Sequence, residues 1–246
     1  MKILLINKYF YIKGGAENSF FQMAKLLEKK GHEVVFFAME SPRNFESPYS
    51  RYFISHVDYD NHSLPNILKC SGRMLYSWEA RRGLEELIAQ EKPDIAHLNN
   101  IYHQISPSII HSLKKYRVPM VMSLRDYKLV CASYSMVHQG VVCEACKDGR
   151  YYHAFSKKCV KGSLMKSLLN TSEMYLHHKM LNIYDDVDMF ISPSRFLKSK
   201  VNEMGFKKEI KHLFNFVNLD EFNPEFHWSQ RTAVFFGRLS HEKGVA

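Results

Sequence analysis

The sequence has no apolar run long enough to span a bilayer, because Lys, Arg, Asp or Glu interrupts every candidate segment. Residues 1–7 hold only four consecutive apolar residues, and no small-residue cleavage site follows, so a secretory signal is not indicated. Internal repeats and low-complexity tracts are also lacking. We therefore expect a cytoplasmic globular protein.

Acidic residues are in the minority. The chain has 25 Asp and Glu against 34 Lys and Arg, which gives a formal net charge of +9 and a pI of about 9.2. A basic surface favours anionic partners such as nucleic acids, phosphorylated ligands or an acidic membrane face. A solvated basic surface without a special partner is an equally good interpretation.

Cysteine is scarce, yet four of the five residues fall in one segment: Cys131, Cys143, Cys146 and Cys159. Their four thiolates could form a closed, structural zinc site, since Cys-x2-Cys is a common zinc-binding spacing. A metal would also explain the loop 126–161, which shows no pattern of regular structure inside a compact domain. Reduced free thiols, one or two disulfides and an iron–sulfur cluster are alternatives, and His138 and His153 are spare candidate ligands.

Short apolar runs alternate with helical patterns along most of the chain, which is typical of parallel β-α-β units. The predicted strands are 2–7, 33–39, 94–98, 118–124, 188–192 and 210–214. The predicted helices are 17–30, 67–90, 107–116, 162–184 and 193–204, with 41–66 irregular. The pattern predicts an α/β fold with a doubly wound, mostly parallel, Rossmann-like sheet and helices on both faces.

The sequence changes character after residue 218. Residues 1–218 are predicted to form one domain, and 219–230, with an Asn-Pro pair and several charges, a linker. Residues 231–246 contain one strand pattern (231–236), a glycine turn and the start of a helix, which is how a further α/β domain begins. We therefore expect a second domain that is truncated shortly after its start.

Glycine and polar residues follow two predicted strands, at the edge where doubly wound sheets bind ligands. Gly14 and Gly15 precede the first helix, where bare backbone and a helix start suit an anion, although a tight turn with positive φ would also explain them. His97, Asn99 and Asn100 could bind sugar hydroxyls or phosphates. Ordinary loop capping is an equally good explanation for these three.

Charged residues mark further candidate sites. Arg125 and Asp126 follow the strand 118–124, where a guanidinium could bind an anionic group, or the two could form only a local ion pair. Arg238 and Lys243 flank a glycine turn and a helix start, where a diphosphate could bind. The helix 162–184 is basic and amphipathic, which permits membrane contact but more often reflects packing on a core.

Five strings resemble the family-4 glycosyltransferases of the GT-B fold, and they occur in that family's order along nearly the whole chain. They are GGAE at 14–17, PDIAH at 93–97, SPSRF at 192–196, NFVN at 215–218 and FGRLSHEKG at 236–244. The resemblance implies two Rossmann-like domains facing a cleft, with residues 1–218 as the N-terminal half of GT-B, on the acceptor side. It implies a nucleotide-sugar donor bound mainly by the second domain, with no metal needed for the chemistry.

The resemblance also implies roles for single residues and a reaction. Gly14, Gly15 and Glu17 would border the active site, and Arg238 and Lys243 would hold the donor diphosphate. The reaction would be retaining transfer of a sugar to a polysaccharide, lipid-linked or similar acceptor. Many members work at the inner face of the membrane, and the basic pI is in keeping with such peripheral contact.

The chain departs from the family pattern in three places. Arg125 stands where the family usually has a His before the Asp, and Asn99 where many relatives have a second His. The family's paired-glutamate segment, which binds the donor's sugar and ribose, would lie beyond residue 246. We therefore expect an incomplete donor site and little or no activity from this chain alone.

Two other functions are compatible with the sequence. One is a non-catalytic acceptor-binding half, or a gene remnant, that needs a separate donor-domain chain. The other is a zinc-dependent nucleic-acid binder. The cysteines lie in one loop with no helix at finger spacing, so we expect no nucleic-acid partner.

Overall fold

The computed structural model describes residues 1–57 and 63–218, and beyond them only the positions 223, 233–235, 237 and 239. The chain divides into two compact units, Met1–Phe216 and Val217–Ala246. Of the predicted linker 219–230 only residue 223 is described, and of the predicted strand 231–236 only residues 233–235, which do not form a strand. The start of a second domain at 231–246 therefore stays a prediction.

The strands follow the alternation seen in the sequence. In chain order they are β1 (Lys2–Asn7), β2 (Glu33–Phe37), β3 (Ile95–Asn100), β4 (Met120–Ser123), β5 (Val137–His138), β6 (Val141–Val142), β7 (Met189–Ser192) and β8 (Ile210–His212). Within the described residues, six of them form one sheet in the order β2-β1-β3-β4-β7-β8, and each neighbouring pair is parallel. β5 and β6 form a separate antiparallel hairpin. The predicted doubly wound parallel sheet is confirmed.

Helices cover both faces of this sheet. They are α1 (Gly15–Lys29), α2 (Leu64–Leu75), α3 (Trp78–Glu91), α4 (Ile109–Lys115), α5 (Tyr152–Ser156), α6 (Leu164–Tyr175) and α7 (Arg195–Glu203). Leu4 and Ile6 of β1 belong to one apolar cluster and Ile3 and Leu5 to another, because successive strand side chains point to opposite faces. Residues of α3, α4 and α7 join the first cluster, and α1 contributes Phe20 to the second.

The order of strand addition reverses between β1 and β3. The chain first adds β2 on one side of β1 and then crosses to add β3 on the other, so Ile3 pairs with both Val34 and Ile95. At the carboxyl edge of the same pair, Asn7 lies beside Asn100. Ligands of open α/β sheets bind beyond the strand ends at such a reversal, which makes this edge the first place to look for a site.

The single helix predicted over 67–90 is wrong, because α2 and α3 separate at Tyr76 and Ser77. Ser77 Oγ accepts a hydrogen bond from the Ala80 N–H at 3.1 Å and so caps α3. The Ser77 N–H in turn donates to Ser108 Oγ at 3.1 Å. The break is thus stabilised by a contact with a residue 31 positions away, which a local pattern does not contain.

The segment 126–161 is not irregular throughout, contrary to the prediction. It contains the β5–β6 hairpin, a short turn of 3-10 helix at Lys147–Gly149, and α5. Left-handed backbone separates these pieces, as at Tyr134 and Gln139, with φ of 56° and 51°. Elements this short show no periodic apolar pattern, which is why the sequence did not predict them.

The helix predicted over 162–184 is α6 followed by a π-helical turn, Leu176–Met180. Packing on a core was the favoured explanation for the amphipathic pattern of this helix, yet its Leu164 and Leu168 are 45% and 42% exposed. The buried side instead includes Ser167, Asn170 and Glu173, because a buried lysine described below requires a polar partner. Within residues 1–57 and 63–218, no helix is both long and apolar enough to cross a bilayer.

Candidate substrate-binding site

A row of hydrogen bonds crosses the carboxyl edge of the sheet at the reversal. Asn99 Nδ2 donates to Asn7 Oδ1 at 3.0 Å, and Asn99 Oδ1 accepts from Arg125 Nε at 2.6 Å. Arg125 Nη1 donates to Asn215 Oδ1 at 3.1 Å. Asn7 and Asn99 are buried, so the row is held in place from below. We call these four residues the polar row; Asn99 and Arg125 were predicted from the sequence, whereas Asn7 and Asn215 were not.

His97 lies beneath the polar row, on the same face of β3 as Asn99. Its Nε2 is 2.7 Å from Ser123 Oγ, and both side chains are buried. Burial, and then the positive charge of Arg125, lowers the pKa of His97 to about 4. The imidazole is therefore neutral at neutral pH, and its contacts suit it to supporting the row from within the sheet.

Gly14 and Gly15 begin α1 although the surrounding protein leaves room for a side chain. Gly14 has an extended backbone with φ −171°, and neither residue has positive φ, so the tight-turn explanation is wrong. A Cβ at Gly15 would meet nothing within 4 Å, and one at Gly14 only the Glu17 Oε2, at 3.9 Å. The helix N-terminus is thus open to the approach of a ligand.

Lys8 is a further candidate ligand-binding residue, and it was not predicted from the sequence. It directly follows β1, and its N–H donates to the Asn100 carbonyl at 2.9 Å. Burial lowers the pKa of Lys8, and the carboxylates of Asp126 and Glu17 counteract this effect. Its position immediately after a buried strand was the signal available in the sequence.

Arg125 and Asp126 face different partners. Burial lowers the pKa of Arg125. The negative charge of Glu17, a residue that is only 5% exposed, partly counteracts this lowering. Burial raises the pKa of Asp126. Two interactions partly counteract this rise: the Lys128 N–H donates a hydrogen bond to Asp126 Oδ1 at 2.9 Å, and the positive charge of Lys8 lies nearby. The described ion pairs include none between Arg125 and Asp126, so the local-pair explanation is not supported.

A buried ion pair lies behind the loop that carries Asp126. Lys128 Nζ is 2.6 Å from Glu173 Oε2 and is 3.4 Å from both Asn170 Oδ1 and the Ala132 carbonyl. His103 Nε2 is 3.4 Å from the same carboxylate. Burial acts to raise the pKa of Glu173, but the charges of Lys128 and His103 hold this pKa below its ordinary value. No local pattern could have indicated a pair 45 residues apart.

The four cysteines of the segment 126–161 lie near one another. Burial raises the pKa of Cys146 to about 12, and the thiols of Cys131, Cys159 and Cys143 each add to this by charge repulsion. None of the four forms a disulfide. In the part of the chain that the structure describes, no three His, Cys, Asp or Glu side chains are grouped as they would be around a metal ion. The four thiols therefore influence one another electrostatically but are not gathered into a coordination shell.

The predicted donor residues Arg238 and Lys243 lie outside the described residues, so their role stays a prediction. A cavity of about 530 Å³ lies elsewhere in the first unit and is lined in part by Tyr151, His178 and Lys208. None of the predicted site residues lines it. We place the candidate site at the polar row rather than at this cavity, because the row lies at the sheet reversal and its Arg125 interacts electrostatically with Glu17 of α1.

Comparisons with known proteins identify the family to which the chain belongs. A sequence model of Glycosyltransferase Family 4 matches residues 13–221. An uncharacterized 42.6 kDa protein in a cps region of Klebsiella pneumoniae is 28% identical over 258 residues, which cover 99% of this chain and 63% of that protein. The crystal structure of MurG from Acinetobacter baumannii aligns with 87% of this chain and 44% of its own, at 10% identity and a TM-score of 0.40. The chain thus spans less than two thirds of its curated relative, and by the family match it belongs to Glycosyltransferase Family 4.

Proposed function

We propose that this chain is the acceptor-side domain of a glycosyltransferase that moves a sugar from a nucleotide-diphosphate sugar to an acceptor hydroxyl. The observation that carries the proposal is the polar row beside the open N-terminus of α1. Amide groups suit sugar hydroxyls, and a guanidinium suits phosphate or hydroxyl oxygens. Family membership supports the reaction class, and a polysaccharide or lipid-linked acceptor is the class that the family resemblance implies.

Each part of the site would contribute differently to the transfer. The first-turn N–H groups of α1, unhindered at Gly15, would face negative charge that develops on the leaving diphosphate. Arg238 and Lys243 would complete that stabilisation from the donor side. The carboxylates of Glu17 and Asp126 would accept hydrogen bonds from acceptor hydroxyls. Retention of anomeric configuration is the outcome we propose for the reaction.

The test is an assay of the full-length protein with a panel of nucleotide-diphosphate sugars and a glycolipid extract as the acceptor. We expect release of nucleoside diphosphate with one donor and an NMR-detected product of retained configuration. Activity that appears only when a separately encoded donor domain is added would support the non-catalytic half instead, and no release under any condition would contradict both.

We also propose peripheral contact with an anionic membrane face through the start of α6. Leu164, Met165 and Leu168 are 45%, 71% and 42% exposed there. Lys161 and Lys166 are exposed beside them. Apolar side chains flanked by lysines are typical of helices that lie in the membrane interface.

A further inference from the structure

Tyr9 links the polar row to two lysines at the same edge of the sheet. It follows the end of β1, and its carbonyl accepts a hydrogen bond from Asn7 Nδ2 at 2.7 Å. Gln104 Nε2, from the loop after β3, donates to the Tyr9 hydroxyl at 3.4 Å. Because Asn7 belongs to the polar row, the tyrosine is held both by that row and by the adjoining loop.

The two lysines lie around the ring of this tyrosine. Lys13 Nζ is 4.3 Å from the ring centre and donates to the Tyr9 hydroxyl at 3.1 Å. Lys8 Nζ is 5.4 Å from the same ring centre. Ammonium groups are attracted by the π electrons of an aromatic ring, so one side chain holds two positive charges close together. We call Lys8, Tyr9 and Lys13 the cationic cluster.

The charges of the cationic cluster are not neutralised by the protein. In the part of the chain that the structure describes, no carboxylate forms an ion pair with Lys8 or Lys13. Asp126 and Glu17 act on Lys8 only at longer range. Lys8 is half-buried, and a charge removed from water is costly without a partner. Two ammonium groups held together in this way favour an anionic ligand.

A phosphate group matches this charge better than a carboxylate does. Near neutral pH a phosphate monoester carries about −1.5 to −2, which two ammonium groups balance, whereas a carboxylate carries a single charge. The donor diphosphate already has the first turn of α1 and, in the proposed function, Arg238 and Lys243. The cationic cluster is additional to those groups, so we assign its ligand to the acceptor.

We propose that the cationic cluster binds a phosphate group carried by the acceptor sugar. The inference rests on the proposed function, since it names the class of acceptor for that same site. Lys8 and Lys13 contact the phosphate oxygens, and Tyr9 is a positioning residue that holds both ammonium groups. The phosphate belongs either to a soluble sugar phosphate or to a sugar linked to a lipid phosphate, because both present the same group.

The test is calorimetric titration of the full-length protein with three sets of probes. They are a panel of hexose 1-phosphates, the same hexoses linked to farnesyl phosphate, and the free hexoses. We expect at least one phosphorylated form to bind about tenfold or more tightly than its free hexose, as for a gained charge-assisted hydrogen bond. Whether the soluble or the farnesyl form binds more tightly identifies the source of the phosphate.

Variants of the cationic cluster connect this binding to its residues. Lys8→Met and Lys13→Met should each weaken binding of the phosphorylated probe about tenfold or more, and neither should change the affinity for a nucleotide-diphosphate sugar. The matched control Lys25→Met, at an exposed position of α1, should bind as the unmodified protein does. Lys8→Met should also keep the melting temperature, because it removes a charge that has no ion-pair partner.

Tyr9→Phe tests the positioning role. It keeps the ring and removes the hydroxyl that Lys13 contacts. Binding of the phosphorylated probe should weaken by less than in Lys13→Met, and the affinity for the free hexose should stay unchanged. A loss that is the same for the phosphorylated and the free sugar would contradict this role, since a general disturbance of the loop affects both.

Three outcomes would overturn the proposal. They are equal affinities for the phosphorylated and free sugars, unchanged binding in both lysine variants, and an equal loss of affinity for the nucleotide-diphosphate sugar, which would assign the cluster to the donor. The titrations need no transfer, so the two proposals fail separately. Release of nucleoside diphosphate with a neutral acceptor alone would leave the proposed function standing, whereas phosphate-dependent binding without any release would contradict the transfer reaction.

Discussion

Lys128 Nζ lies 2.6 Å from Glu173 Oε2, and the two side chains are only 2% and 1% exposed. The pair joins the loop after β4 to α6, and it explains why α6 turns polar residues inward. Charges are rarely buried without a partner, because an uncompensated ion in the interior is costly. The position of the loop that carries Asp126 therefore depends on this pair.

Removal of one partner should destabilise the protein strongly. We expect Lys128→Met to lower the free energy of unfolding by about 3–5 kcal/mol, because it leaves the buried Glu173 carboxylate without its lysine partner. Urea denaturation followed by circular dichroism measures this. The control is Lys114→Ala in the more exposed pair with Asp186, where about 0–1 kcal/mol is expected. Equal losses in the two variants would contradict the role assigned to the buried pair.

Gly15→Ala should separate function from stability. A Cβ at this position meets nothing within 4 Å of the protein, so the melting temperature should not fall. Transfer activity of the full-length protein should drop about tenfold or more, as expected when a ligand loses a charge-assisted hydrogen bond of roughly 1.5–3 kcal/mol.

The matched control is Gly72→Ala, which places a Cβ in equally open space within α2, away from the polar row. It should keep full activity and gain about 0.5–1 kcal/mol in stability. In contrast, Gly83→Ala should destabilise the protein, because its Cβ would lie 2.6 Å from the Tyr52 carbonyl oxygen. Full activity of Gly15→Ala would count against ligand binding at the start of α1.

Arg125→Lys should impair transfer even though the charge is kept. Arg125 uses two different nitrogens, Nε to Asn99 and Nη1 to Asn215, and a lysine ammonium cannot reproduce that geometry. We expect kcat/KM to fall about tenfold or more, in line with the loss of one charge-assisted hydrogen bond. Arg82→Lys on the exposed side of α3 should leave the kinetics unchanged. Similar kinetics for both variants would remove Arg125 from the site.

Stability should fall between about pH 6.5 and pH 4. Burial lowers the pKa of His97 to about 4, whereas an unfolded chain protonates histidine near pH 6.5, so the unfolded state binds more protons in this window. The contribution is complete above about pH 6.5 and is lost as the pH falls through about 4. His97 alone should cost about 2 kcal/mol at pH 5, from roughly 1.4 kcal/mol for each pH unit.

Denaturation curves at pH 7.5 and pH 5 for the unmodified protein and for His97→Gln provide the measurement. The variant should lose part of the pH dependence, since its side chain does not titrate. His56→Gln, which replaces an exposed histidine, should retain the full dependence. Identical pH dependence in all three proteins would show that His97 is not buried in its neutral form.

Met165→Glu should weaken binding to anionic vesicles. Met165 is 71% exposed beside Lys161 and Lys166, so a carboxylate there opposes both apolar insertion and attraction to anionic lipid. Co-sedimentation with phosphatidylserine vesicles and with neutral vesicles measures the effect. Met180→Glu, at a similarly exposed methionine after α6, should bind as the unmodified protein does. No binding of the unmodified protein to either vesicle would contradict the membrane proposal.

The strands could be predicted closely and the helices less well. Each predicted strand within residues 1–218 is present with small shifts at its ends, because buried parallel strands appear as compact apolar runs. The helix 67–90 could not be divided correctly, since the cap at Ser77 depends on Ser108. The inward face of α6 was misjudged because the partner of Glu173 comes from another segment.

The candidate site was predicted in part. Asn99 and Arg125 were identified from their positions after strands, and the structure brings them into one row. Asn7, Lys8 and Asn215 were missed, since a single polar residue after a strand carries no distinctive pattern.

The order of residues along the chain was thus sufficient to predict the doubly wound architecture and the edge of the sheet at which the candidate site lies. Apolar periodicity sets the strands and helices, and parallel strands must place their carboxyl ends together. Tertiary contacts decided which polar groups meet, as in Lys128 with Glu173 and Arg125 with Asn215. Hydrogen bonds and buried charges act between residues distant in sequence, so only the packed chain determines their partners.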